Sequence, residues 1–229
     1  NKIDDYEILI MDDGSNDETL NVCSLYKKSN KRINLISRKE KPSLPMSIYD
    51  GIELAKYENV MWLDADGSMS ADSALLLIEK FVISSKKVII GSRFVEGGGY
   101  KGVKDLGKNS FLKSIKNVNE SKDSVSGMIA STLFNKLLNK ILRINVKDLT
   151  SGFIIGKKDL FEKKYFSNKN YGEYFIYLVY GLTLKKIIIE EVGYISKTRK
   201  YGESKTASSI FQLLSRGLPY LKAAYECRK

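Results

Sequence analysis

Tyr6-Glu7-Ile8-Leu9-Ile10-Met11-Asp12-Asp13-Gly14-Ser15 is a short apolar run that ends in two acids, a glycine and a serine. A run of this length without polar alternation is buried on both faces, the habit of a parallel strand, and the polar cluster marks its C-terminal end. The same form recurs at Asn59 to Leu63, which leads into Asp64-Ala65-Asp66-Gly67, and at Lys87 to Ile90, which leads into Gly91-Ser92-Arg93. Ile33 to Ser37 reads as a further strand. Between these runs the period turns helical. Helices are expected over Asp17 to Lys28 and Ser47 to Tyr57, and the spacing of Ala74, Leu75, Ile78 and Phe81 predicts a third. Strands alternating with helices at this spacing predict a doubly wound, mainly parallel α/β sheet, which binds ligands at its C-terminal strand ends.

Toward the C terminus the pattern lapses from Gly97 to Ser126 into Gly, Lys, Ser and Asn, too long for an ordinary connection and therefore expected to be a mobile functional loop. Helical spacing resumes from Met128 to Leu142. Asp148-Leu149-Thr150-Ser151-Gly152-Phe153 leads into a strand, followed by a helix around Glu173 to Leu182 and a strand at Lys186 to Val192. The stretch 197–229 is strongly basic, and Ile210, Leu213, Leu214, Leu218 and Leu221 give its middle an amphipathic helical period. The chain therefore divides into a domain over 1–196 and a basic amphipathic segment over 197–229. No internal repeat or signal peptide pattern is found.

With 229 residues and 43% hydrophobic content the chain buries a real core, which excludes dominant disorder. Its apolar stretches fall short of the ~20 residues a spanning helix needs. Cys23 and Cys227 have no pairing or ligand spacing and histidine is absent, so a disulfide scaffold, a histidine-bearing zinc site and a Ser-His-Asp triad are excluded. The formal charge of +11 suits an anionic partner. Its cations are mostly Lys, a skew that compositional bias alone can produce, and no aromatic-basic motif accompanies them, so nucleic acid is not expected as a partner.

The sharpest chemical feature is Asp64-Ala65-Asp66: two carboxylates one residue apart in a turn can direct oxygens toward one hard divalent ion, Mg²⁺ or Mn²⁺. Acids after buried strands also serve as loop starters and helix caps. Asp12-Asp13 ends a second strand, and two such clusters at neighbouring strand ends make a crevice for a nucleotide and a metal. Arg93, Arg199, Gly202, Ser204 and Lys205 add cations and polar groups, a combination suited to a diphosphate or, more plainly, to surface ion pairing.

These segments, with Gly91-Ser92-Arg93-Phe94, Asp148-Leu149-Thr150-Ser151-Gly152-Phe153 and Arg199-Lys200-Tyr201-Gly202-Glu203-Ser204-Lys205, stand in the order and spacing of family 2 glycosyltransferases. The branch they most resemble is the dolichyl- or polyprenyl-phosphate mannosyl- and glucosyltransferases. The resemblance implies a three-layer α/β/α, Rossmann-like nucleotide-sugar fold of the GT-A type. In it Asp12 and Asp13 face the base and ribose of the donor, and Asp64 and Asp66 hold Mg²⁺ or Mn²⁺ on its diphosphate, with Ser68 as a further contact. Arg93 meets donor phosphate and acts with Asp64 and Asp66 in catalysis, while Ser131, Arg199, Ser204 and Lys205 bind the acceptor or its phosphate. The implied reaction is inverting transfer of a hexose from a GDP- or UDP-sugar to a polyprenyl (dolichyl) phosphate at the cytoplasmic face of a membrane. The protein would be peripheral there, or anchored through residues outside this chain.

A lipid monophosphate is already an oxyanion near neutral pH, so such a reaction needs no histidine base. A hydroxyl acceptor would need a carboxylate base, for which Glu173 is a candidate beside its capping role. Three departures from the family pattern stand out. The usual opening strand and its Pro-X-Tyr-Asn-Glu-like turn are missing, so the chain reads as a fragment of a longer protein, as a domain whose first strand is supplied otherwise, or as a non-catalytic module that keeps the fold. The loop before Met128 is long, and Thr132 stands where the branch often has Arg, with Lys113 or Lys116 as possible substitutes; a saccharide or other hydroxyl acceptor is the alternative this raises. Pro42-Ser43-Leu44-Pro45 replaces the usual Gly-rich turn after Arg38.

Overall fold

The computed structural model describes residues 5–84, 88–100, 103–104, 122–197 and 210–229. They fold as an α/β protein with mostly parallel strand pairing, in two compact units: residues 1–60 with 157–174, and residues 61–156 with 175–229.

In the first unit β1 (Ile8–Asp12) pairs in parallel with β2 (Ile33–Ser37), from Ile8 opposite Ile33 to Asp12 opposite Ser37. The crossover between them is α1 (Thr19–Ser29), the connection a parallel pair requires. α2 (Leu44–Leu54) starts where the sequence dictates: Ser43 is its N-cap, accepting from the Met46 N–H at 3.4 Å, and Pro45 sits in the first turn, where a missing N–H costs nothing. The later segment of this unit contributes two single 3₁₀ turns, Lys158–Leu160 and Lys163–Tyr165. There Phe166 packs between Tyr49 and Tyr174, with ring centroids 5.6 and 5.4 Å away.

The chain enters the second unit through β3 (Asn59–Trp62), which belongs to a four-stranded sheet of order β3-β7-β4-β8. β4 (Val88–Ser92) is buried along its whole length, as its unbroken apolar run predicts. It pairs in parallel with β8 (Ile189–Gly193) and antiparallel with β7 (Ile154–Lys157). The mainly parallel pairing expected from the sequence is thus found, with β7 reversed against β4. The reversal follows from connectivity: after helix α4 (Lys122–Leu142) the Asp148–Phe153 loop lies at the end where β4 exits, with Asp148 against Arg93 and Phe153 C=O accepting from Gly91 N–H at 2.9 Å, so β7 runs back from that end. α3 (Ala71–Ile83), capped by Ser70 accepting from Ser73 N–H, lays Leu77 and Phe81 on Ile89, Phe153, Val192 and Tyr194 to form the core. A three-stranded sheet, β6 (Val103–Lys104), β5 (Gly99–Tyr100) and β9 (Ile195–Ser196), lies beside it in order.

α5 (Tyr174–Leu184) buries Phe175, Ile176, Leu178, Val179 and Leu182, so it reads as apolar nearly all round. α6 (Ile210–Arg228) packs on α4: Tyr220 meets Phe134 edge-on at 6.1 Å, Gly217 lies against the same ring, and Ala223 and Ala224 are fully buried. Two expectations shift. The helix expected from Met128 begins at Lys122, and the core of the expected mobile loop, residues 105–121, lies outside the described residues. Among the described residues no helix is long and apolar enough to cross a membrane.

Candidate functional site

The chemistry-bearing residues form one constellation in each unit. In the first, β1 ends at Asp12, which is buried and bends back over its own turn: it accepts from Gly14 N–H at 3.1 Å and from Ser15 N–H at 3.3 Å, and Gly14 takes φ +91°, a left-handed conformation suited to glycine. The Ser15 side chain outweighs burial and, with these two backbone donors, holds the Asp12 carboxyl below its usual range. Asp13 points elsewhere. Its carboxylate pairs with the Arg38 guanidinium and accepts from Ser43 N–H at 2.6 Å. Arg38 also grips Asp50 at 2.7 Å and reaches Ser47 Oγ at 3.3 Å. Burial opposes the charge on Arg38, but Asp50 and Asp13 together raise its pKa. One guanidinium therefore ties the ends of β1 and β2 to α2. A cleft of about 450 Å³ opens beside it, lined by Met11, Lys39, Glu40, Asp50 and Arg38, within the range of small-ligand pockets.

In the second unit the Asp64-Ala65-Asp66 turn follows β3. Asp64 is exposed, and Asp66 is half-buried with Oδ1 accepting from Ser68 N–H at 2.9 Å. Gly67 at φ +75° reverses the chain, and Ser68 C=O accepts from Lys197 N–H at 3.0 Å. Two hard oxygen donors on a turn fit Mg²⁺ or Mn²⁺, ions that commonly take one or two protein carboxylates and complete their shell with substrate phosphates and water. Among the described residues no group of three or more His, Cys, Asp or Glu converges on one point, so the donor set fits an ion shared with a diphosphate better than a closed protein cage.

Arg93 follows β4 and sits against Asp148, which is wholly buried. The backbone N–H of Arg93 donates to Asp148 Oδ2 at 2.9 Å, Nε to the same oxygen at 2.8 Å, and Nη2 to Oδ1 at 2.7 Å and to Thr150 Oγ1 at 2.8 Å. The loop bearing Asp148 is itself fixed. Glu191 accepts from Lys147 and Asp148 N–H groups at 2.8 and 3.0 Å, and Asn135, buried on α4, accepts from Leu149 N–H at 2.8 Å while donating to Thr150 Oγ1 and Ser131 C=O at 3.0 Å. Ser151 Oγ closes the loop on Gly91 C=O. Tyr194, buried nearby, has its hydroxyl pushed up to about 12 chiefly by burial.

The structure thus brings Arg93 together with Asp148 and Thr150, sets Ser131 one helical turn before Asn135, and places Asp64 with Asp66 on a single turn. Arg199, Ser204 and Lys205, with Gly202, Lys113 and Lys116, lie outside the described residues. Glu173 is buried with both oxygens engaged, by Asn170 N–H at 2.6 Å and Tyr171 N–H at 3.0 Å, which is the geometry of a turn holder. Sequence reasoning gave no role to Arg38 or Asp50. The available signal was residue choice: in a chain whose cations are overwhelmingly Lys, Arg38 and Arg93 each directly follow a strand, and each makes the forked contacts that Lys cannot.

Residues 1–164 match the family described as Glycosyl transferase family 2. A stretch of 100 residues is 35% identical to poly(ribitol-phosphate) beta-N-acetylglucosaminyltransferase TarP of Staphylococcus aureus (strain N315), covering 43% of this chain and 30% of that protein. A solved structure titled "Crystal Structure of a Mycobacterial Protein" superposes with a TM-score of 0.61 at 11% identity, over 96% of this chain and 64% of that one, a likeness of fold alone. The chain spans less than a third of TarP and under two thirds of the mycobacterial chain. On the family match, which covers well over half its length, this chain belongs to glycosyl transferase family 2.

Proposed function

We propose that the protein transfers a hexose, with inversion, from a GDP- or UDP-sugar to a polyprenyl phosphate at the cytoplasmic face of a membrane. Residues 1–196 form the catalytic domain and 197–229 a basic amphipathic segment. The observation that carries the reading is the Asp64-Ala65-Asp66 turn after β3, a pair of hard donors, one exposed and one half-buried, in a chain of this family. Asp64 and Asp66 hold Mg²⁺ or Mn²⁺, which supplies charge neutralisation on the donor diphosphate. Asp12 shapes the turn after β1, and Asp13, oriented by Arg38 and Ser43, meets the ribose and base. Arg93, its guanidinium locked by Asp148, presents a fixed positive charge to phosphate, so no reorganisation is needed as the leaving group develops charge.

In the transfer step an oxygen of the acceptor phosphate attacks the anomeric carbon as the bond from that carbon to the diphosphate breaks, and the nucleoside diphosphate departs with the electron pair. The acceptor is already anionic, which accords with Glu173 being committed to its turn. Ser131, with Arg199, Ser204 and Lys205, receives the acceptor phosphate. A second reading, transfer to a hydroxyl-bearing acceptor, is favoured by the similarity to TarP, whose name specifies poly(ribitol-phosphate). The test is calorimetry with GDP- and UDP-sugars with and without Mn²⁺, followed by radiolabelled transfer to polyprenyl phosphate and to poly(ribitol phosphate). Metal-dependent donor binding with label in the lipid supports the first reading, label in the polymer supports the second, and no donor binding refutes both.

A further inference from the structure

Helices α4 and α6 each show solvent a ridge in which leucine or tyrosine alternates with lysine. On α4 the exposed positions are Leu133, Lys136, Leu137 and Lys140, spaced i, i+3, i+4, i+7, with Leu133 58% and Leu137 45% exposed. Along α6 the ridge is Leu218, Lys222 and Tyr225, continued by Lys229 just past the helix end, spaced i, i+4, i+7, i+11, with Leu218 and Tyr225 each 61% exposed; Pro219, Glu226 and Arg228 are exposed beside it. Helical geometry sets each ridge opposite the helix's packed face, which is Asn135, Leu138 and Leu142 on α4 and Ala223, Ala224 and Tyr220 on α6. The two helices pack on each other through Phe134, Gly217 and Tyr220, so the apolar residues on the ridges are not needed to join them.

We infer that this α4–α6 helix pair docks on the surface of an anionic bilayer, leucines and Tyr225 entering the interface and the lysines meeting lipid phosphates. The inference rests on the lipid-acceptor reading proposed above, and it gives the membrane contact to two helices, one of which carries Ser131. Charge complementarity identifies the occupant. Residues 133–142 contain no acid, and the one acid of residues 217–229, Glu226, is engaged by Tyr177 Oη and by Lys222 at 3.9 Å. Lys229 lies over the Tyr225 ring at 4.9 Å, the amphipathic pairing suited to a headgroup layer with a wet and an apolar side. Nucleic acid would match the lysines but leave Leu133, Leu137 and Leu218 without partners, whereas a bilayer interface takes both.

The test is co-sedimentation of the full chain with phosphatidylcholine vesicles, alone and with one-third phosphatidylserine. Wild-type protein is expected to bind the anionic vesicles and release at high salt. Combined Lys136→Glu, Lys140→Glu and Lys222→Glu should weaken that binding by at least about fivefold per lysine, and Leu133→Ser with Leu137→Ser and Leu218→Ser should weaken it further, with unchanged circular dichroism in both variants. The inference is overturned if wild type ignores anionic vesicles, if the variants bind as wild type does, if single-stranded RNA is bound in their place, or if the serine variants abolish a dimer of the free protein. Transfer to detergent-dispersed polyprenyl phosphate separates the two proposals: transfer that persists without vesicle binding refutes the docking surface alone, and vesicle binding without transfer refutes the acceptor alone.

Discussion

Replacing Asp148 by asparagine keeps the side chain's size and removes its charge, which isolates what the buried carboxylate does for Arg93. Asp148 is fully buried and accepts three hydrogen bonds from Arg93, with Thr150 N–H and Oγ1 at 3.3 Å as weaker donors. In the amide one acceptor oxygen becomes an NH₂ group that faces Nε or Nη2, donor against donor. The Arg93 side chain is 12% exposed, so water relieves little of the lost pairing. Removing one partner of a buried pair costs ~3–5 kcal/mol, and the remaining contact to Thr150 places this case near ~3. For a chain of this size that corresponds to a drop in Tm of about 6–12 °C. The assay is urea unfolding followed by the fluorescence of Trp62, the single tryptophan, which lies in the same unit. A cycle with Arg93→Met should show coupling of about 2 kcal/mol or more, because the double variant no longer buries an unmatched charge. A loss below ~1 kcal/mol in Asp148→Asn, or additive single losses, would refute the claim that this carboxylate locks the guanidinium.

Arg38→Ala leaves Asp13 and Asp50 facing each other without a shared cation; stability should fall by about 2 kcal/mol, and donor affinity in calorimetry should fall with it. Gly193→Ala would put a methyl group 2.1 Å from the Glu96 carbonyl oxygen, a backbone atom that cannot swing aside, so a loss near the upper end of the ~1–3 kcal/mol range for overpacking is expected on thermal melting. Gly14→Ala meets no neighbour and should cost only the ~1 kcal/mol of its left-handed φ. Asp12 has a folded-state pKa below its ordinary 3.8, so its contribution is present above that pH and is lost as pH falls through the lower folded value; Asp12→Asn should be less stable than wild type at neutral pH, with the gap closing in acid titration below 3.8. Tyr194 runs the other way: its neutral form is favoured in the fold, so wild type loses stability as pH rises from 10 toward about 12, and Tyr194→Phe should not show that loss in alkaline unfolding.

β4 was legible because burial along its whole length leaves an unbroken apolar run, although the strand continues past Ile90 to Ser92; Ile33 to Ser37 matches β2 in full even though its residues are only partly buried. Helix α2 begins three residues earlier than expected, since the Ser43 cap and Pro45 start it before the apolar period becomes visible. The antiparallel setting of β7 could not be read locally, because Ile154-Ile155-Gly156 has the same composition whichever way its neighbour runs. At the site, the acidic turns were visible as motifs, while the partners that orient them were not. Arg38 meets Asp13 across 25 positions and Arg93 meets Asp148 across 55, pairings that the fold makes and no spacing rule announces. Glu173 shows the converse: its place at a helix start pointed to capping, but its oxygens accept from Asn170 and Tyr171 N–H, donors of the turn that precedes α5.

The first unit is assembled from two stretches of chain that are far apart in order of synthesis. On the ribosome, Tyr49 emerges long before Phe166 and Tyr174, the rings that complete its stack, and nearly the whole sheet of the other unit is made in the interval. A nascent chain stopped after residue 60 therefore holds β1, β2 and both helices with part of their covering absent, a state that invites chaperone capture. Proteolysis at residue 156 would divide the chain of both units, whereas a cut at residue 60 would divide that of the first unit alone.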